Sequence, residues 1–301
     1  MENIPSIDFN YLALAVERYD AILSPLCVER IENLLNPKGN LMYQLIALFI
    51  AVPMLLLTNC STTKNSQLDV AKPMVILKLD DLWFEDGLVH PGWVQVVDFL
   101  NSLEIKGTIG IVGNSLEEGD DVYFNWIKER HAEGYEIWHH GFCHCRHQEE
   151  DIEIREYRGE DLVAQTTSLL KTQELAQEKL GITLRSFGAP YNSTDDYTAS
   201  ALAEIPALKV WMYKETGCAT DKYLLPRIAE VNIEYPVHQP DFEQFKAGYE
   251  QFKNEPVLVI QGHPRSWVEE QNRFEEFKRI ILFLVKEEVT FVTPYGYYLR
   301  Q

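Results

Sequence analysis

The chain has 301 residues, with 27 Lys and Arg against 46 Asp and Glu, a formal charge of −19, and 46% apolar and 24% charged residues. This is a globular composition, and 15 Tyr, 14 Phe and 6 Trp supply the large side chains of a sizeable core. So large an acidic excess excludes a nucleic-acid-binding protein or a polybasic membrane-surface protein, because that affinity comes from Lys and Arg displacing counterions from phosphates.

In chain order, the first predicted element is an uncharged apolar run over residues 41–57, LMYQLIALFIAVPMLLL, followed by Thr58-Asn59-Cys60 and a polar segment. It resembles a bacterial lipoprotein signal peptide, in which Cys60 would be lipidated and become the new amino terminus, although Asn59 stands where Gly, Ala or Ser is usual. The other reading is a membrane-spanning anchor, since a span needs ~20 apolar residues. An export signal starts close to its apolar core and carries basic charge there, yet only Lys38 is basic nearby. Residues 1–40 are therefore read as an N-terminal extension with the true start near Met42, or else as a short cytoplasmic segment. The expected organisation is a signal or anchor at 41–60, a linker at 61–72 and one folded domain at 73–301, exported and held at the cell envelope by its N-terminal segment. In that domain Cys143, Cys145 and Cys218 are odd in number, and their spacing demands no disulfide.

Beyond the linker, β-type runs alternate with amphipathic stretches. Strands are predicted at 74–79, 108–112, 135–138, 184–187, 208–212, 228–233, 257–260 and 289–292, and helices at 93–103, 122–132, 161–180, 194–203, 242–252 and 268–286. In the last helix Phe274, Phe277, Ile281, Leu284 and Val285 share one face. Strand and helix in alternation imply parallel strands joined by crossover helices. The fold class is α/β, a (β/α) barrel of about seven strands, incomplete or distorted. No G-x-G-x-x-G follows the first strand, which argues against a dinucleotide fold.

Chemistry-bearing residues gather at the carboxyl ends of these strands, where barrel enzymes keep their sites. The first strand runs into Asp80-Asp81, adjacent carboxylates that raise each other's pKa unless a cation or proton is shared. The third ends in His139-His140-Gly141-Phe142-Cys143-His144-Cys145-Arg146-His147. Two imidazoles four apart can converge on one ion with a carboxylate as third ligand, and spacing alone also admits His139, Cys143 or His147.

Leu79-Asp80-Asp81 followed by His140-Gly141-Phe142-Cys143-His144 resembles the T-F-D-D and H-[ST]-x-x-H motifs of the polysaccharide deacetylase family, carbohydrate esterase family 4 with the NodB-homology fold. Phe187-Gly188-Ala189-Pro190-Tyr191 is similar to its R-x-x-P-Y motif, and Val259-Ile260-Gln261-Gly262-His263-Pro264 to its final L-x-x-H. The resemblance implies a metal-dependent hydrolase that removes N-acetyl groups from an exported glycan. Asp81, His140 and His144 would hold one divalent ion, Zn²⁺ before Co²⁺, Ni²⁺ or Mn²⁺, and so lower the pKa of bound water. Asp80 would be the general base, His263 the general acid, and the backbone N–H of Tyr191 an oxyanion donor.

Two departures stand out. Gly188 occupies the place of the third-motif Arg, and no D-x-x-D-W counterpart surrounds residues 209–213; Arg185 is a candidate substitute for the missing cation. Trp83, Phe84, Phe142, Tyr191, Trp211 and Trp267 are expected at the rim as a stacking surface for sugar rings, while His90, His131 and His238 are read as structural. The alternatives to the enzyme reading are a non-catalytic, lipid-anchored glycan-binding relative and a hydrolase of another C–N bond on the same barrel.

Overall fold

A strand covered on both faces must be apolar almost without interruption, and β1 (Met74–Leu82, MVILKLDDL) meets that condition apart from the polar residues discussed below. The computed structural model describes residues 72–85, 87–215 and 217–301. The N-terminal extension, the signal or anchor and nearly all of the linker lie outside the described residues. Among the described residues no helix is long and apolar enough to cross a membrane.

The further strands are β2 (Phe84–Glu85), β3 (Leu88–Val89), β4 (Thr108–Ile111), β5 (Glu136–His139), β6 (Arg146–Glu149), β7 (Ile152–Arg155), β8 (Ser186–Gly188), β9 (Val210–Met212), β10 (Tyr223–Leu225), β11 (Val257–Gly262) and β12 (Thr290–Phe291). Seven of them pair in the order β10-β9-β8-β5-β4-β1-β11, all parallel, and β12 pairs with the start of β1. The result is a nearly closed (β/α) barrel, incomplete between β10 and β11. Two antiparallel hairpins, β2-β3 and β6-β7, stand apart from it.

The helices are α1 (Pro91–Ser102), α2 (Ser115–Glu118), α3 (Asp121–Ala132), α4 (Leu162–Leu175, continued by a wider turn at Ala176–Leu180), α5 (Asp196–Ala203), α6 (Phe242–Phe252), α7 (Gln271–Lys286) and α8 (Pro294–Tyr298). An aspartate begins α3, α4, α5 and α6, its carboxylate accepting from the N–H of Tyr123, Ala164, Tyr197 and Gln244 respectively. Each cap satisfies donors that the first helical turn leaves over. On α7, Phe277, Ile281 and Leu284 are buried, whereas Val285 is exposed.

Residues alternate along β1 between two cores. Val75, Leu77 and Leu79 pack toward the helices and Ile76 joins Trp138, Val210, Met212 and Val259 in the barrel interior. Gly110 on β4 and Gly188 on β8 flank the Trp138 indole, and a Cβ at either position would meet it at 2.4 and 3.0 Å. The missing side chains are what let this ring fill the interior.

The predicted strand at 228–233 does not form; the strand is Tyr223–Leu225 instead. Val231 and Ile233 are buried as period-two alternation requires, but they belong to a loop over 226–241 that fills the opening beside β11. The side chain of Asn232 accepts from the Gln261 N–H at 2.7 Å, so a side chain satisfies this backbone group of β11 where a neighbouring strand would otherwise do so.

Candidate active site

The same alternation that sends Ile76 inward sends Lys78 and Asp80 inward, toward the carboxyl mouth of the barrel. Both are buried. Asp80 Oδ2 accepts from Lys78 Nζ at 2.5 Å and from Gln261 Nε2 at 2.6 Å. Its Oδ1 is buried without a hydrogen-bond partner. Asn192 ties the group together, its Nδ2 donating to Gln261 Oε1 at 2.8 Å while its Oδ1 lies 3.4 Å from Lys78 Nζ. Burial lowers the Lys78 pKa, and the Asp80 charge partly restores it.

Alternation alone would point Asp81 away from Asp80. The pairing of β1 with β4 shifts register between Leu79 and Leu82, and Asp81 has a left-handed φ of 68° there, which turns its carboxylate to the mouth. Two imidazoles meet it: His140 Nε2 lies 3.1 Å and His144 Nε2 3.3 Å from Asp81 Oδ1. His140 Nδ1 lies 2.7 Å from the Gly188 carbonyl, which can only accept, so Nδ1 carries the proton of the neutral ring and Nε2 presents a lone pair. Nε2 and a carboxylate oxygen this close must have either a proton or a metal ion between them. The donor atoms of Asp81, His140 and His144 lie within 4.8 Å of one another, and Asp81 Oδ1 has no hydrogen-bond partner. The donor set therefore fits one divalent ion, with a backbone carbonyl fixing the tautomer of one ligand from behind. Burial raises the Asp81 pKa, but the two imidazoles beside it more than offset this and hold it well below the carboxylate range.

The alternative ligands lie elsewhere. His139 is buried on the opposite face of β5, between the Leu169 carbonyl and the Gly141 N–H, and burial lowers its pKa to about 3. His147 is on the exposed β6-β7 hairpin beside Glu149. Cys143 and Cys145 form a disulfide with each other, a pairing that spacing did not require, and His144 sits between them.

The ligand loop turns on Gly141, φ 76°, and His144, φ 52°. Glu156, just after β7, holds it in place. Its carboxylate accepts from the backbone N–H of Phe142 at 2.5 Å, Cys143 at 3.3 Å and His144 at 2.8 Å, and from the Ser168 hydroxyl. No local pattern in the sequence marks Glu156, because the hairpin that delivers it is charged and mostly exposed.

Tyr191, at φ 59° in the short turn after β8, packs its ring 4.3 Å from that of His144 and donates from its hydroxyl to the His144 carbonyl at 3.0 Å. The Arg146 and Arg155 guanidiniums lie 5.4 and 5.2 Å from its ring. Trp83 meets the other side of His144 edge-on at 5.4 Å. Trp211 does not belong to this rim: it is fully buried, packed beside Phe187 in the core, and offers no face to a sugar. Trp267 is likewise buried and stacked on Phe277. Arg185 is at the amino end of β8, 5.8 Å from the Tyr295 ring, so the cation beside Asp80 is Lys78.

His263 follows β11. Its Nδ1 lies 2.6 Å from Glu234 Oε2, and its own N–H donates to Glu234 Oε1 at 2.8 Å. The same carboxylate accepts from Trp267 Nε1 at 2.7 Å and from the His238 N–H at 2.8 Å. These four donors fill it, so Glu234, His238 and His263, although their donor atoms lie close together, form a hydrogen-bonded group rather than an open cation site. Burial opposes charge on His263, but Glu234 raises its pKa to about 9, with smaller help from Asp80 and Asp81. Nε2 is thus a protonated donor at neutral pH. Glu234 follows the run at 228–233, but it is a lone acid there that belongs to no motif, so nothing in the local sequence marks it.

Residues 67–208 match the polysaccharide deacetylase family model. No curated protein matches the chain in sequence. Solved structures with a similar fold include the chitin deacetylase of the fungal pathogen Colletotrichum lindemuthianum, at 16% identity over 74% of this chain and 86% of that one, TM-score 0.52. A family 4 acetyl xylan esterase from Clostridium thermocellum, in complex with a cobalt ion, shares 19% over 73% and 87%, TM-score 0.50. A CE4 family pseudoenzyme from Bacillus anthracis shares 14% over 73% and 63%, TM-score 0.51. At these identities the likeness is one of fold.

Proposed function

The chain carries a polysaccharide deacetylase domain, and from that premise we propose that it is a metal-dependent hydrolase removing N-acetyl groups from an exported glycan. The observation that carries this reading is the convergence of Asp81, His140 and His144 on one point, beside a carboxylate with one unpartnered oxygen and a protonated histidine. Asp81, His140 and His144 would hold a divalent ion, Zn²⁺ by donor type, which would supply the Lewis acidity that lowers the pKa of water and polarises an acetyl carbonyl. Asp80 Oδ1 takes the proton of the attacking water. The Tyr191 backbone N–H stabilises the oxyanion, and His263 Nε2 protonates the leaving nitrogen. Trp83 and Tyr191 flank His144, where an acetylated sugar would stack. The lipoprotein-like run at residues 41–60 supports an envelope location with attachment to the membrane.

The missing third-motif Arg and D-x-x-D-W favour a non-catalytic relative. Lys78 and Glu234 weigh against it, because they give Asp80 and His263 charged partners of the required sign. The test is metal content and acetate release, with chitooligosaccharide and peptidoglycan fragments, for wild type and Asp80→Asn. Stoichiometric metal in both, with release only by wild type and loss of release on chelation, is the expected result. Metal without release on any acetylated glycan would transfer the protein to the binding reading or to another C–N bond, and absence of metal would overturn the site.

A further inference from the structure

A lysine inside a parallel strand is costly unless its charge is met, because desolvating an ammonium takes several kcal/mol. Lys78 is fully buried, and the faces of Trp138 and Tyr213 lie 4.9 and 5.2 Å from its Nζ. The carboxylate that meets the charge is Asp80, at 2.5 Å. A buried pair of this kind is a poor stabiliser compared with apolar residues of the same volume. Its place beside the candidate base gives it another use.

We propose that Lys78 is a positioning residue for the reaction: together with Gln261 it pins Oδ2 of Asp80, leaving Oδ1 as the oxygen that takes the proton. This inference rests on the deacetylase reading. Two donors on one oxygen fix the plane of the carboxylate, and the Asn192 amide fixes the face of Gln261 that points to it. Gly188 makes the room. A Cβ there would stand 3.0 Å from Lys78 Cε and 3.0 Å from the Trp138 ring, so a side chain from β8 and the lysine from β1 compete for one volume. Gly188 has no positive φ, so its backbone accepts a side chain, and once Lys78 is shortened the contact left to adjust is that with the Trp138 ring.

The experiment uses the full-length protein loaded with zinc. Lys78→Met is expected to lower kcat for acetate release about 100-fold, the scale of a misplaced catalytic group, with KM within about twofold and metal stoichiometry unchanged. Lys78→Ala with Gly188→Arg, which delivers a cation into the same volume from the other strand, is expected to recover at least about tenfold over Lys78→Ala alone, because an oriented cation is what the site requires. A fully metallated Lys78→Met with kcat within about threefold of wild type, or a fully metallated double variant that keeps the Tm of Lys78→Ala yet shows no recovery, would reduce Lys78 to a packing residue. A readout independent of turnover is the Tm cycle of wild type, Lys78→Met, Asp80→Asn and the double variant. Asp80→Asn is expected to restore much of the Tm lost in Lys78→Met, since the stranded carboxylate is gone, and strictly additive losses would overturn the pairing. If wild type releases no acetate while the cycle shows coupling, the deacetylase reading fails and the pairing of Lys78 with Asp80 stands.

Discussion

The charge state of His263 is set mainly by one neighbour. Glu234 is bonded to its Nδ1 and raises its pKa from 6.5 to about 9. In the proposed reaction the protonated ring is the donor, so kcat/KM is expected to fall as pH rises through about 9, with the base limb on the acid side. Glu234→Gln removes the charge but keeps the shape, and should draw the alkaline limb down toward the ordinary histidine range near 6.5. A pH–rate profile that keeps its limb near 9 in that variant would remove Glu234 from this role. At this scale, legibility tracked local pattern. Asp80, Asp81, His140, His144 and His263 were readable because each lies at or within a few residues of the end of an apolar strand run and inside a motif with a recognisable spacing. Glu234 and Glu156 were not, because a loop and an exposed hairpin carry no periodicity that distinguishes one acid from another. Lys78 was open to reading: it is the one charge within an apolar run, two residues before Asp80 and so on the same face.

Among the elements, the loop between β5 and β6 depends on a partner distant in sequence. Three backbone N–H groups of residues 142–144 end on Glu156. Glu156→Gln replaces an acceptor-only group with one that presents a donor to those N–H groups, and is expected to weaken zinc binding about 10- to 100-fold, as changes behind a metal ligand do. Competition against a chromophoric chelator measures this, and unchanged affinity would show that the disulfide and Gly141 hold the loop by themselves. The alternation of strand and helix was visible in the sequence because parallel strands and their covering helices carry strong apolar periods. The segment at 228–233 misled for a physical reason: a loop that fills a barrel opening buries every second residue just as a strand does, and differs only in where its backbone hydrogen bonds go. Trp211 misled in the opposite sense: it is the middle residue of β9, and alternation with Val210 and Met212, which face the barrel interior, sends it into the helix-side core beside Phe187.

In the molecule as a whole, the gap between β10 and β11 divides the barrel into parts held by different means. β1 is held by ladders to β4 and β11, whereas residues 226–241 are anchored to β11 through the side chains of Asn232 and Glu234. Segments tied by side chains open sub-globally, at lower free energy than core strands. Amide hydrogens of 226–241 should therefore exchange well before those of β1 and β11. Because Glu234 travels with that segment, acetate release is expected to decline on heating below the calorimetric transition while zinc remains bound; coincident loss of activity, metal and structure would refute this ordering. The opening also bears on how such a barrel can diverge. A group delivered from a strand is locked to a hydrogen-bond register, and moving it by one residue reverses its face. A group delivered across an unpaired edge has no register to keep, so insertions and deletions in 226–241 can exchange the carboxylate behind His263, for length or for identity, while the half of the barrel that carries Asp81, His140 and His144 is inherited unchanged.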